Sequence, residues 1–260
     1  MKLPLKPLLL TFFFAGLLVN ANAKPNGIDK IKKSGTLIVG IKDDVPKFGF
    51  LNPKTNKYEG LEIDLAKAIA KQILGSEEKV NFVPVNAKNR SAYLNQERVD
   101  MVIATFTVTE ERKQNYDFSD VYYTDSVGIM VRKDSDITSF KNLENKKVGI
   151  TQGTMTTSTI KNAAIKEGVF LTCVTYPSNK TLKDALLHKE IDAFCIDRSI
   201  LNGYIDDSVM ILPEQYDQMM YAVAVKKDNS AVTKLVNEVI RNLIKSGELD
   251  KLIAKHGLKY

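Results

Sequence analysis

The chain has 260 residues, with 37 Lys and Arg against 31 Asp and Glu, a net charge of +6, 44% hydrophobic and 26% charged residues. These are the proportions of an ordinary globular protein, long enough for one large domain or two small ones. The lysines are scattered among acids rather than clustered, which argues against a nucleic-acid surface. The chain opens with Lys2 and Lys6, an apolar run from Leu8 to Val19, and Ala21-Asn22-Ala23. That layout reads as an export signal cleaved after Ala23: an apolar run of about a dozen residues falls short of the roughly 20 a bilayer span needs. Fold reasoning therefore starts at Lys24, and no later stretch is apolar enough to span a membrane.

From there strands and helices alternate. A β-branched run at 36–41 is followed by an amphipathic helix at 60–74, with Leu61, Leu65, Ala68, Ile69 and Ile73 on one face. Strands at 80–85, 99–104 and 127–131 follow, with a short helix at 90–96 between the first two. A second cycle repeats the plan: strand 147–150, a turn at 152–154, helix 156–167, strand 170–175, helix 181–187 and strand 191–196. A strand at 220–225 and a helical stretch at 233–256, interrupted at Gly247, close the chain. Strand–helix alternation implies parallel sheets covered on both faces.

Two such cycles predict two α/β lobes: 24–123 plus 220–260 for the first, and 124–219 for the second. The chain would cross between them near 123–125 and 218–221, making a hinge over a cleft suited to a small ligand. Cys173 and Cys195 both sit in β-like runs and read as buried free thiols, with a disulfide as the alternative in an exported protein. Nothing has the spacing of a metal site, nucleophile elbow or phosphate loop, so no cofactor is expected.

Four motifs carry a resemblance. The first is Gly60-Leu61-Glu62-Ile63-Asp64-Leu65 with Ile69-Ala70 and Ile73. The second runs from Val99 to Lys113 and on through Tyr116-Asp117-Phe118-Ser119 and Tyr122-Tyr123. The third is Lys147 to Thr154, and the fourth Ile191 to Asp197. In this order and spacing they resemble the family 3 extracellular solute-binding proteins, the polar amino-acid receptors of ABC importers. Gly40 to Pro46, Val85 to Arg90, Ile103 to Thr107 and Ser199 to Tyr204 are similar to the aspartate/glutamate-binding branch of that family.

The resemblance implies a type II periplasmic binding protein fold, α/β, each lobe a small, mostly parallel sheet with flanking helices. It implies a monomer in the periplasm that captures a free L-amino acid, aspartate or glutamate favoured, and delivers it to an inner-membrane ABC permease. It also implies a site. Arg112 would clamp the α-carboxylate with its guanidinium fork, helped by Thr107 and, from the second lobe, Thr154. Asp197 would accept the α-ammonium. Thr105 would offer its carbonyl to the ammonium and its hydroxyl to the side chain. Lys42 and Arg90 would face a side-chain carboxylate and reject neutral analogues. The chain departs from the family in having Thr151 where many members carry Lys, and from the acidic branch in having no tyrosine near Ser178-Asn179-Lys180. Three alternatives stand beside this reading: a receptor for a neutral polar amino acid such as glutamine or cysteine, a cyclohexadienyl dehydratase-like enzyme, and an adhesin role at the cell surface alongside transport.

Overall fold

The computed structural model describes residues 27–259, so the export signal expected at 1–23 lies outside the described residues. Helix α1 (Gly27–Ser34) leads into strand β1 (Leu37–Ile41), an apolar run almost wholly buried, as befits a parallel strand covered on both faces. A small antiparallel meander follows: β2 (Asp44–Val45), β3 (Gly49–Asn52) and β4 (Lys57–Glu59). Helix α2 (Leu61–Leu74) starts at Gly60, where a Cβ would lie 2.1 Å from the Phe48 carbonyl oxygen, and ends at Gly75 in the left-handed conformation. Then come β5 (Val80–Pro84), α3 (Arg90–Asn95), β6 (Met101–Ile103), α4 (Glu110–Lys113) and the 17-residue β7 (Tyr116–Arg132).

The second cycle consists of β8 (Lys147–Thr151), α5 (Thr156–Glu167), β9 (Thr172–Tyr176), α6 (Asn179–Leu187) and β10 (Ala193–Asp197). It is extended by α7 (Arg198–Leu201) and β11 (Val209–Ile211). Strand β12 (Tyr216–Lys226) and helices α8 (Ser230–Lys245) and α9 (Glu248–Lys255) complete the chain, with Gly247 at φ 69° breaking the two helices apart.

The main sheet runs β5-β1-β6-β12-β7-β10-β8-β9, with β11 on the far half of β7. Parallel β5-β1-β6 form the core of one lobe and parallel β10-β8-β9 the core of the other. The antiparallel pair β7 and β12 lies between and belongs to both: β12 pairs with β6 through Ala224 and Val225, whereas β7 pairs with β10 from Val127 to Val131. This is the two-lobe periplasmic binding protein fold. The two small sheets are joined by the shared strands rather than separate.

The anticipated elements are present, with three differences. The strand read at 127–131 is only the end of β7, whose first half interleaves Asp117, Ser119, Asp120, Thr124 and Asp125 with apolar residues and so shows no apolar run. Phe170 precedes β9 and is 77% exposed, because the chain leaves α5 through left-handed Gly168 before the strand begins. Cys173, read as buried, is only half-buried, whereas Cys195 is buried; both are free as expected, because their strands, β9 and β10, flank β8 and two strand spacings of roughly 5 Å each exceed disulfide reach.

Candidate functional site

Ligands of open α/β sheets bind beyond the carboxyl ends of the strands, and here those ends converge from both lobes. Beyond β1 stands Lys42, beyond β6 the segment Ala104 to Thr107, beyond β8 the turn to Thr154, and Asp197 ends β10. They enclose a cavity of about 20 Å³, room for about one water. An amino acid needs several times that, so admitting one requires the lobes to part. The lobes touch around the cavity. A Cβ on Gly153, at φ 83°, would lie 2.7 Å from the Ala87 carbonyl oxygen. The Tyr204 hydroxyl donates to the Asp44 carbonyl oxygen. A larger concavity, about 640 Å³, is an open groove between α2, α8 and α9.

Six of the seven residues singled out from sequence line the cavity: Lys42, Arg90, Thr105, Thr107, Thr154 and Asp197. Arg112 does not. It starts from α4, where Thr109 caps the helix by accepting the Arg112 amide at 3.1 Å. Its guanidinium lies 4.7 Å over the Phe106 ring and donates to the Thr107 carbonyl oxygen at 2.7 Å. Burial lowers its pKa, and the Asp197 carboxylate is among the groups opposing that shift.

Arg90 is 2% exposed and lies 4.1 Å over the same Phe106 ring. It donates to the carbonyl oxygens of Ala104, at 2.5 Å, and Thr105, at 3.1 Å. Burial, with the Arg112 cation next in weight, pulls it down to about 9, which leaves it charged at neutral pH. The buried Glu62 carboxylate, whose pKa burial raises, is the group that most opposes this downward shift.

Glu62 also shapes the strand end. It accepts from the Thr105 amide at 2.6 Å and from the Tyr122 hydroxyl at 2.5 Å. Thr105 itself sits at φ 44°, a left-handed conformation that a β-branched residue rarely adopts. The kink turns the Ala104 and Thr105 carbonyls toward Arg90.

Lys42 is 3% exposed and forms an ion pair with Asp44 at 2.8 Å. Asp197 accepts from the Tyr221 hydroxyl. Burial and then Asp125 push its carboxyl up to about 7, against the hydrogen bond from Tyr221 and the charges of Arg90 and Arg112. Thr154 donates to the Thr151 carbonyl oxygen at 2.8 Å, and the Thr151 hydroxyl donates to buried Asn179 Oδ1 at 2.5 Å. Phe48 is core rather than cleft: it is fully buried, edge-on to Tyr123 at 5.2 Å and Tyr221 at 5.7 Å.

Sequence reasoning missed Glu62, Asn179, Met155, Met219 and Tyr221 as site residues. Glu62 had a signal: an acid at the second position of an apolar helix start. An acid there is ordinarily accounted for by the helix dipole alone, yet Glu62 is 0% exposed. Asn179 and the two methionines are ordinary in type, and only the fold brings them to the cavity.

A closed cleft between two α/β lobes, with ionic side chains from both gathered at the strand ends, defines a ligand-capturing binding protein. The chain belongs to the bacterial extracellular solute-binding proteins, family 3, matched over residues 37–259. It is 34% identical over 236 residues to the ABC transporter glutamine-binding protein of Bacillus subtilis, covering 90% of this chain and 85% of that one. Its fold superposes on the crystal structure of the cysteine-binding protein from Campylobacter jejuni with a TM-score of 0.81, at 31% identity, over 89% of this chain and 92% of the other. To the glutamate/aspartate import solute-binding protein of Escherichia coli it is only 24% identical, over 98% of this chain and 88% of the relative. The aspartate/glutamate likeness expected from short motifs is therefore corrected: relatives named for glutamine, cysteine and arginine are all more similar to this chain.

Proposed function

We propose that this protein is the periplasmic receptor of an ABC importer and that its ligand is a neutral polar amino acid, glutamine or cysteine in type, rather than aspartate or glutamate. The observation that carries the choice is that both cations expected to read a side-chain carboxylate are already engaged. Lys42 is paired with Asp44 at 2.8 Å. Arg90 donates to two carbonyl oxygens and is offset by Glu62. An acidic ligand would bring a second carboxylate into the cleft with no unpaired cation to meet it, and burying an unpaired charge costs several kcal/mol. A zwitterion with a neutral side chain brings one carboxylate and one ammonium, which Arg112 and Asp197 match. The similarity to glutamine- and cysteine-binding relatives supports the same reading.

In this reading Arg112 swings from the Thr107 carbonyl to clamp the α-carboxylate, with Thr107 and Thr154 as further donors. Asp197 and the Thr105 carbonyl take the ammonium. Lobes 24–123 plus 220–260 and 124–219 close about β7 and β12, because a ligand held by Arg112 on one side and Asp197 on the other binds the closed form better. A thermal-shift screen against the twenty amino acids tests it. A ligand at about a thousand times its dissociation constant adds roughly 4 kcal/mol, worth about 8–16 °C at this size. A large shift with glutamine or cysteine and little with aspartate or glutamate is expected. The reverse pattern would remove the neutral-ligand reading, and no shift with any amino acid would remove the receptor reading.

A further inference from the structure

Tyr221 belongs to no motif that drew attention in the sequence, yet its hydroxyl meets Asp197, an anion that lines the cavity and has, among the described residues, no cationic partner within ion-pair distance. The residue lies on β12, opposite Tyr123 of β7 and bridged to Thr107. Its side chain is fully buried. Tyr123 stacks on its ring at 6.0 Å and 30°, Phe48 meets it edge-on at 5.7 Å, and Tyr122 tilts against it at 6.4 Å. The ring therefore has no freedom to swing. Its hydroxyl donates to Asp197 Oδ2, leaving Oδ1 as the open acceptor at the cavity.

We propose that Tyr221 is a positioning residue for ligand capture: the phenol holds Asp197 ionised and oriented, so that the carboxylate is ready to receive the ligand's α-ammonium. The inference rests on the reading of Asp197 as the ammonium acceptor. The groups facing Asp197 come from four elements: Tyr221 on β12, Asp125 on β7, Arg90 on α3 and Arg112 next to it on α4. Asp125 disfavours the ionised form, as burial does, whereas Tyr221, Arg90 and Arg112 favour it. Burial and the neighbouring Asp197 push the Tyr221 phenol well above its ordinary range, so it stays a donor at every physiological pH.

The sign of the pH dependence follows. An ammonium favours ionised Asp197, so affinity is full above the carboxyl's free-state titration near 7 and falls as the pH drops through it. The loss approaches tenfold per unit until the titration point of the liganded form is reached. Removing the phenol hydroxyl takes away a hydrogen bond to a charged acceptor and moves that titration upward by about one pH unit.

The experiment is a titration of the protein with L-glutamine and L-cysteine from pH 5 to 8.5, for wild type, Tyr221→Phe and Asp197→Asn. Tyr221→Phe is expected to shift the acid limb about one unit upward, to bind about fivefold more weakly near pH 7 and about tenfold more weakly on the acid limb below it, and to recover toward wild type at pH 8.5. A purely structural role would weaken binding by the same factor at every pH, and that result would overturn the proposal. Asp197→Asn is expected to abolish binding. If it does while Tyr221→Phe keeps the wild-type limb, the positioning role alone falls. If Asp197→Asn binds normally, the ammonium reading falls and this inference with it. Should Tyr221→Phe fail to fold, 3,5-difluorotyrosine at position 221 makes a stronger donor and is expected to move the limb the other way, to lower pH; an unmoved limb there overturns the proposal equally.

Discussion

At the scale of single residues, the site depends on one strained backbone. Thr105 sits at φ 44°, and a β-branched residue held there stores about 1–3 kcal/mol of strain. What holds it is the Glu62 carboxylate, reached by the Thr105 amide at 2.6 Å and itself buried among Tyr122, Arg90 and Lys42. Glycine tolerates this conformation, though it gives back about 0.5–1 kcal/mol through the greater freedom of its unfolded chain. Thr105→Gly is therefore expected to raise the melting temperature by about 2–4 °C, the equivalent of roughly 1 kcal/mol at this size. Its carbonyl would still face Arg90, so scanning calorimetry should show the gain while α-carboxylate and ammonium recognition persist. A lower melting temperature would mean that the threonine side chain contributes more in the cavity than its backbone costs.

At the scale of elements, the turn after β8 carries the contact between lobes. Gly153 is left-handed, and a Cβ there would stand 2.7 Å from the Ala87 carbonyl oxygen in the opposite lobe. Gly153→Ala is expected to lower ligand affinity about 10–100-fold, because closure must then displace backbone and adopt a strained φ worth about 1–3 kcal/mol. Calorimetric titration reads the loss, and unchanged affinity would mean that the lobes do not close through this contact. The same turn shows what sequence could and could not say. Helices α2 and α5 and strands β1, β5, β8 and β10 were legible because an apolar face or run of the right period marks each one. The strand ends that carry Lys42, Thr105, Thr107 and Asp197 followed from the rule that open sheets bind at their carboxyl edges. What the sequence hides is pairing across space. The Lys42–Asp44 pair spans only two positions, but the Lys-Asp-Asp run reads as a surface loop, and only the fold shows that Lys42 turns inward while Asp43 stays exposed. Tyr221 meets Asp197 only because β12 returns beside β7 after the second lobe is complete. The first half of β7 escaped for a related reason: its polar residues are buried or half-buried, with Asp120 held by Asn237 and Arg241 of α8, so neither simple period applies.

At the scale of the whole molecule, the closing cleft is an exercise in charge balance. The cavity is too small for water to share the work of solvating an ion, so every charge that enters must find its partner in the protein. The protein presents two cations, Lys42 and Arg90, with a third, Arg112, adjoining, against three anions, Asp44, Glu62 and Asp197. With all three acids ionised that set sums to zero, and a zwitterion leaves the sum unchanged. An acidic amino acid adds one negative charge that nothing offsets. If this balance sets the specificity, removing one anion from the set should invert it. Asp44→Asn is the informative change: it releases buried Lys42 while leaving the Asp44 carbonyl, which accepts from Tyr204, untouched. The freed ammonium would then be the unpaired cation that a side-chain carboxylate needs, and breaking such a buried pair costs about 3–5 kcal/mol until a new anion repays it. The variant is expected to be less stable without ligand, to bind glutamine more weakly, and to gain at least about tenfold in its preference for glutamate over glutamine, the equivalent of 1.4 kcal/mol or more. Competition titrations with the two amino acids on wild type and variant measure that ratio directly. A ratio unmoved by Asp44→Asn would mean that side-chain selection is made by shape at residues such as Asn179, Met155 and Met219 and not by the charge that Lys42 carries.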